Sequence, residues 1–115
     1  MSKLLDKIKK VDDKNLLPVE VPEWDGVTVY IKSLTVGERD SYEAEVYNAS
    51  KSNKMLDNPR SKFLLRCLCD EDGDPLATDF KELAALSSKP MEKLFELAQK
   101  HNKLTDDDIE ELSGN

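Results

Sequence analysis

Cys67, Cys69, His101 and the acidic run Asp70-Glu71-Asp72-Gly73-Asp74 are the residues of this chain whose types and spacing could support metal or nucleophile chemistry. Two thiols and one imidazole are three donors where a structural zinc site needs four, and the chain has no second histidine. At a separation of two, the cysteines sit badly for bridging each other on a helix or a strand, so they read as small buried hydrophobes in a reducing compartment. The acidic run invites a calcium test. Setting Gly73 at the sixth position of a calcium loop puts Asp70 and Asp72 at the third and fifth, but Leu68 at the first and Asp79 at the twelfth. A charged first ligand and a bidentate glutamate are both missing from that arrangement. The run reads instead as a turn that returns Leu76 and Ala77 to the core. There is no GxSxG, no CxxC and no phosphate-cradling loop among only four glycines, and no nucleophile with a base can be assembled. The chain reads as a non-enzyme with no cofactor.

The bulk properties narrow the partner. A chain of 115 residues forms one domain, large enough for a single core without disulfides or a metal. Seventeen basic residues against 24 acidic ones give a net charge of −7, which disfavours a grip on a phosphate backbone. No window approaches the roughly 18 to 20 consecutive apolar residues that span a bilayer, and the N-terminus lacks a signal-peptide core. A cytosolic protein with protein partners, and neither nucleic acid nor membrane, is expected.

The elements that position these residues centre on Asn58 to Leu76. Phe63, Leu64, Cys67 and Leu68 fall on one helical face, and Leu65 and Cys69 make the segment apolar nearly all round. Asn58 is a suitable N-cap and Pro59 suits the first helical position. Val19 and Val21, the Pro22-to-Gly26 stretch, and Val27, Val29 and Ile31 form a hairpin pattern. Thr35 and Glu38 make a capping box for a helix burying Tyr42, Val46, Tyr47 and Ala49, followed by a loop from Ala49 to Asp57. Asp79 and Glu82 open a short helix burying Phe80, Leu83, Ala84 and Leu86, and Pro90 opens its successor. His101, near that successor's end, is expected to meet terminal carbonyls or solvent. The fold class is α+β: a small N-terminal β-hairpin with four to five α-helices around a central apolar helix. Residues 1–18 form an amphipathic helix and arm, 19–104 the core domain, and 105–115 a weakly ordered acidic helix or tail.

Two surfaces are candidates for partners. Leu4, Leu5, Ile8 and Val11 form an apolar stripe on a helix too short to stand alone in water, so it packs on its own core or on another copy. Met91, Leu94 and Phe95 recur at helical spacing, as core or as an adaptable groove for a client helix, and Trp24 on the hairpin turn either closes the core or anchors a partner.

The order of these features, VEVPEWDGVTVYIKSLTVGERDSYE and then RSKFLLRCLCDEDGDPLATDFKELAALSSKPMEKLFELAQKHNKL, resembles the tail assembly chaperones of long-tailed bacteriophages. The likeness runs from about Val19 to Leu104. It implies a non-enzymatic helper that binds the tape-measure protein, keeps it soluble, promotes tail tube assembly in the host cytoplasm and is absent from the mature virion. It also implies a homo-oligomer, and a longer frameshifted form that recruits the tail tube protein. On this reading self-association falls to Leu4, Leu5, Ile8 and Val11, and client contact to Trp24, Met91, Leu94 and Phe95. Two alternatives remain: a structural phage component of the head–tail joining type, and an acidic DNA-mimic inhibitor, which lysines interrupting the acidic runs argue against.

Overall fold

The computed structural model describes residues 2–12 and 15–102; the expected acidic C-terminal helix lies outside them. The first helix, α1, spans Lys3–Val11, and the Ser2 hydroxyl caps it by accepting from the Leu4 and Leu5 amides. It is followed by β1 (Leu17–Val21), a single 3-10 turn at Pro22–Trp24, and β2 (Val27–Ile31). β1 and β2 pair antiparallel, with Val19 opposite Val29 and Val21 opposite Val27. The turn closes because Asp25 and Gly26 both take positive φ, and Gly26 N–H donates to the Val21 carbonyl at 3.0 Å. A third strand, β3 (Leu68–Cys69), adds to the far side of β2, giving the order β1-β2-β3. β1 is an outer strand, and its second residue is Pro18, which has no N–H to offer.

Helix α2 (Val36–Lys51) opens with the expected capping box: Thr35 Oγ1 accepts from Glu38 N–H at 3.1 Å, and Glu38 Oε1 accepts from Thr35 N–H at 2.9 Å. The helix runs three residues into the expected loop and ends where Asn53 takes positive φ. Tyr47 is exposed rather than inward, whereas Glu45 turns toward Arg66. Arg66 holds α2 on its neighbour, donating to Glu45 at 2.7 Å and Ser41 at 3.0 Å while lying over the Tyr42 ring.

Helix α3 (Pro59–Cys67) carries Phe63, Leu64 and Cys67 into the core. Asn58 stands at its N-cap, but in a left-handed conformation that leaves its side chain without a capping bond. The helix ends earlier than its apolar run, because Leu68 and Cys69 extend to pair with Ile31 and Tyr30. The acidic turn then brings Pro75 back beside Cys69. Helices α4 (Phe80–Ala84) and α5 (Ser88–His101) pack against α3. Phe63 sits edge-on to both Tyr42 and Phe95, at centroid separations of 5.2 and 5.6 Å. The core joins the inner face of the hairpin (Val19, Val21, Val29, Ile31) to Leu64, Leu83, Leu94 and Ala98 from the helices.

Candidate functional site

A groove of about 200 Å³ lies where the start of α3, α4 and the start of α5 meet. Leu83 and Met91 reach it from the core side. Ala84 and Leu86, which helical spacing placed inside, lie exposed along it. The correction has a local cause: α4 stops at Ala84 after barely one turn, so Leu86 falls in the break before α5 instead of continuing the buried face of α4. Arg60 and Glu92 flank the groove and face each other across a loose 3.8 Å contact, with both side chains about 60% exposed, at 62% and 59%. An ion pair so open to water adds little stability and is readily exchanged.

The other candidate surface is α1. Leu4, Leu5, Ile8 and Val11 share one face, as their spacing predicts, and α1 buries none of its residues. Exposure of 66% at Leu4 and 74% at Val11 removes the expectation that this stripe packs on its own core. His101, at the far end of the fold's sequence, donates from Nε2 to the Asn15 carbonyl at the base of the arm.

The expected client stripe divides. Leu94 is 1% exposed and wholly part of the core, so it is unavailable to a partner in the folded chain. Met91 is buried among its own helices and borders the groove. Phe95 is half-buried between Phe63 and the Arg60 guanidinium, which lies 5.9 Å from its ring centre. Trp24 packs half-buried against the core from the hairpin turn.

The residues chosen for their chemistry have structural work. Neither cysteine is in a disulfide and both are buried, and burial pushes the pKa of the Cys67 thiol up to about 12. One carboxylate oxygen from each of Asp70, Asp72 and Asp74 lies within 4.8 Å of the others on the surface. Asp70 Oδ1 accepts from the Asp72 and Asp74 amides at 2.9 and 3.1 Å, which is how the turn closes. Asn102, which the spacing of apolar residues does not mark, ties the end of α5 to the corner between β2 and α2. Its Oδ1 accepts from Leu34 N–H at 2.7 Å, and its Nδ2 donates to the carbonyls of Ala98 at 3.0 Å and Lys32 at 3.4 Å.

Among the described residues no helix is long and apolar enough to cross a membrane. No protein-family model matches this chain, and no curated protein matches it either. Among solved structures, the chain is similar to the tail assembly chaperone of bacteriophage HK97, with a TM-score of 0.57 and 18% sequence identity. The match covers 92% of this chain and 97% of that one. At this identity the likeness is one of fold, carried here by the three antiparallel strands and five helices of the described residues.

Proposed function

We propose that this chain is a non-enzymatic tail assembly chaperone, which binds a tape-measure protein in the host cytoplasm, keeps it soluble and promotes tail tube assembly before leaving the particle. The observation that carries this reading is the match of fold over nearly the full length of both chains. The surfaces are compatible with it. A tape-measure protein exposes long apolar helix faces, and a small acidic domain that associates with itself could cover them repeatedly. Self-association is assigned to Leu4, Leu5, Ile8 and Val11 of α1. Client contact is assigned to the reachable part of the expected set, Met91 at the groove, Phe95 beside it and Trp24 on the hairpin turn. A longer frameshifted form would carry the contact to the tail tube protein.

Co-expression with a phage tape-measure protein is the test. The reading predicts a soluble complex that co-purifies, and loss of the soluble tape-measure protein when this chain is omitted. Equal precipitation with and without the chain would refute it.

A further inference from the structure

We propose that the acidic stretch of residues 104–115, which lies outside the described residues, turns back within its own chain and covers α1. Ile109 and Leu112 lie on Leu5 and Ile8 of the stripe, and the carboxylates lie among the α1 lysines. The contact is inside one chain, so it stands or falls apart from the self-association proposed above. Where copies do associate, the stretch and the second copy compete for one stripe.

The first argument is where the chain leaves the fold. α5 ends at His101, and Nε2 of that residue donates to the Asn15 carbonyl. Asn15 stands four residues beyond Val11, the last residue of α1, and four residues reach about 13 Å at most. The nine residues of α1 are about 14 Å long. From Asn15 to the far end of α1 is thus at most about 27 Å, and residues 103–112 can span about 33 Å. A chain that sets out from the foot of α1 runs along it antiparallel, from Val11 toward Lys3.

The second argument is charge. α1 carries Lys3, Lys7, Lys9 and Lys10 against one acid, Asp6. Among the described residues no ion pair engages any of these lysines. Residues 104–115 hold Asp106, Asp107, Asp108, Glu110 and Glu111, with no lysine or arginine. Two surfaces of opposite sign joined by a short tether attract each other ahead of any partner in solution. The groove at α3, α4 and α5, bordered by both Arg60 and Glu92, offers such a stretch no single sign.

The third argument is fit. Ile109 and Leu112 stand three positions apart, as do Leu5 and Ile8, so each pair occupies one turn and the two pairs meet side by side. The lysine stems close over the edges of that contact while their ammonium groups meet the carboxylates. α1 buries none of its residues among those described, and a helix of this length is marginal in water without a cover for its apolar face.

The test is paramagnetic relaxation in the full-length chain. Ser113→Cys takes a nitroxide beside Leu112, while Cys67 and Cys69, both buried, stay unlabelled. In an isotope-enriched chain carrying the nitroxide, the amide signals of Leu4 to Val11 are expected to broaden, equally at low and high protein concentration. In a mixture of enriched chain without nitroxide and unenriched chain with it, those signals are expected to stay sharp. Two variants, Asp106→Asn with Asp107→Asn and Asp108→Asn, and Ile109→Asp with Leu112→Asp, are each expected to restore the signals, as is added salt. Amide exchange along α1 should quicken roughly tenfold in the charge variant. Unshifted signals of Leu64 and Leu94, both in the core, report that each variant is folded. Broadening in the mixture would put the stretch of another copy on α1 and overturn the proposal. Absence of broadening, equal broadening at Leu83 and Met91 of the groove, or broadening that survives both variants also overturns it.

Discussion

Replacing Asn102 by alanine isolates one polar residue that three separate backbone groups depend on. The Leu34 amide loses its acceptor at 2.7 Å, in a part-buried position. Leaving such a donor unpaired costs about 1–3 kcal/mol. The two carbonyls suffer less: Ala98 O still accepts from the Asn102 backbone N–H at 3.0 Å, and the Lys32 contact is already long at 3.4 Å. Together they add about 1 kcal/mol, so Asn102→Ala is expected to destabilise the fold by roughly 2–4 kcal/mol. With a urea m-value of roughly 2 kcal/mol per molar, the middle of the usual range, the unfolding midpoint drops by about 1–2 M. Hydrogen exchange locates the effect: the Leu34 amide should lose protection well before the amides of α3. Asn102→Asp supplies the contrast, since it keeps the acceptor for Leu34 while losing both donors and placing a negative charge at the carbonyl end of α5. It should preserve Leu34 protection relative to the alanine variant. An unfolding free energy for Asn102→Ala within about 0.5 kcal/mol of wild type, the range of ordinary surface substitutions, would show that the three contacts do not hold the corner as argued.

Thr35→Ala breaks the capping box and should cost about 1 kcal/mol in equilibrium unfolding. Burial opposes ionisation of Glu38, but the Lys32 ammonium at 2.6 Å and the bonds from Thr35 outweigh it and hold the carboxyl below its ordinary value of 4.5. Its stabilisation is therefore complete above that value and is lost as pH falls through the lower folded one, so Lys32→Met should cost stability at neutral pH and progressively less in acid. The Cys67 thiol, buried and raised to about 12, should resist iodoacetamide at pH 8 in the native chain and react once urea unfolds it; rapid native labelling would contradict its burial.

The parts of this fold that depend on neighbours in sequence could be read directly. Alternating valines around a Pro-to-Gly turn specify the hairpin, and Thr35 with Glu38 specifies the start of α2, because each signal lies within one turn or one strand. The end of α3 was not readable in this way. Cys67 and Leu68 have the same local character, and the switch to strand at Leu68 comes from β2, whose second edge needs a partner some 37 residues away, as in Ile31 opposite Leu68. Asn102 escaped for the same reason, with partners 68 and 70 positions distant. Periodicity also marked the Met91–Leu94 face as apolar without showing what covers it. The structure covers Leu94 with its own chain and leaves the exposed apolar stripe on α1 instead.

Pro18 bears on whether the strands of other chains can add to this sheet. At a sheet border, backbone donors and acceptors accept further strands from any neighbour, and the ladders so formed are hard to undo. Here that border lacks a donor at Pro18 and carries an exposed carboxylate at Glu20, while the opposite border is only two residues long. Growth of the sheet from subunit to subunit is thereby discouraged on both sides. Any association of this chain is left to side chains rather than to strand pairing. For the assembly helper proposed above, which has to release what it covers, a fold whose strands stay private keeps each association within the reach of dilution.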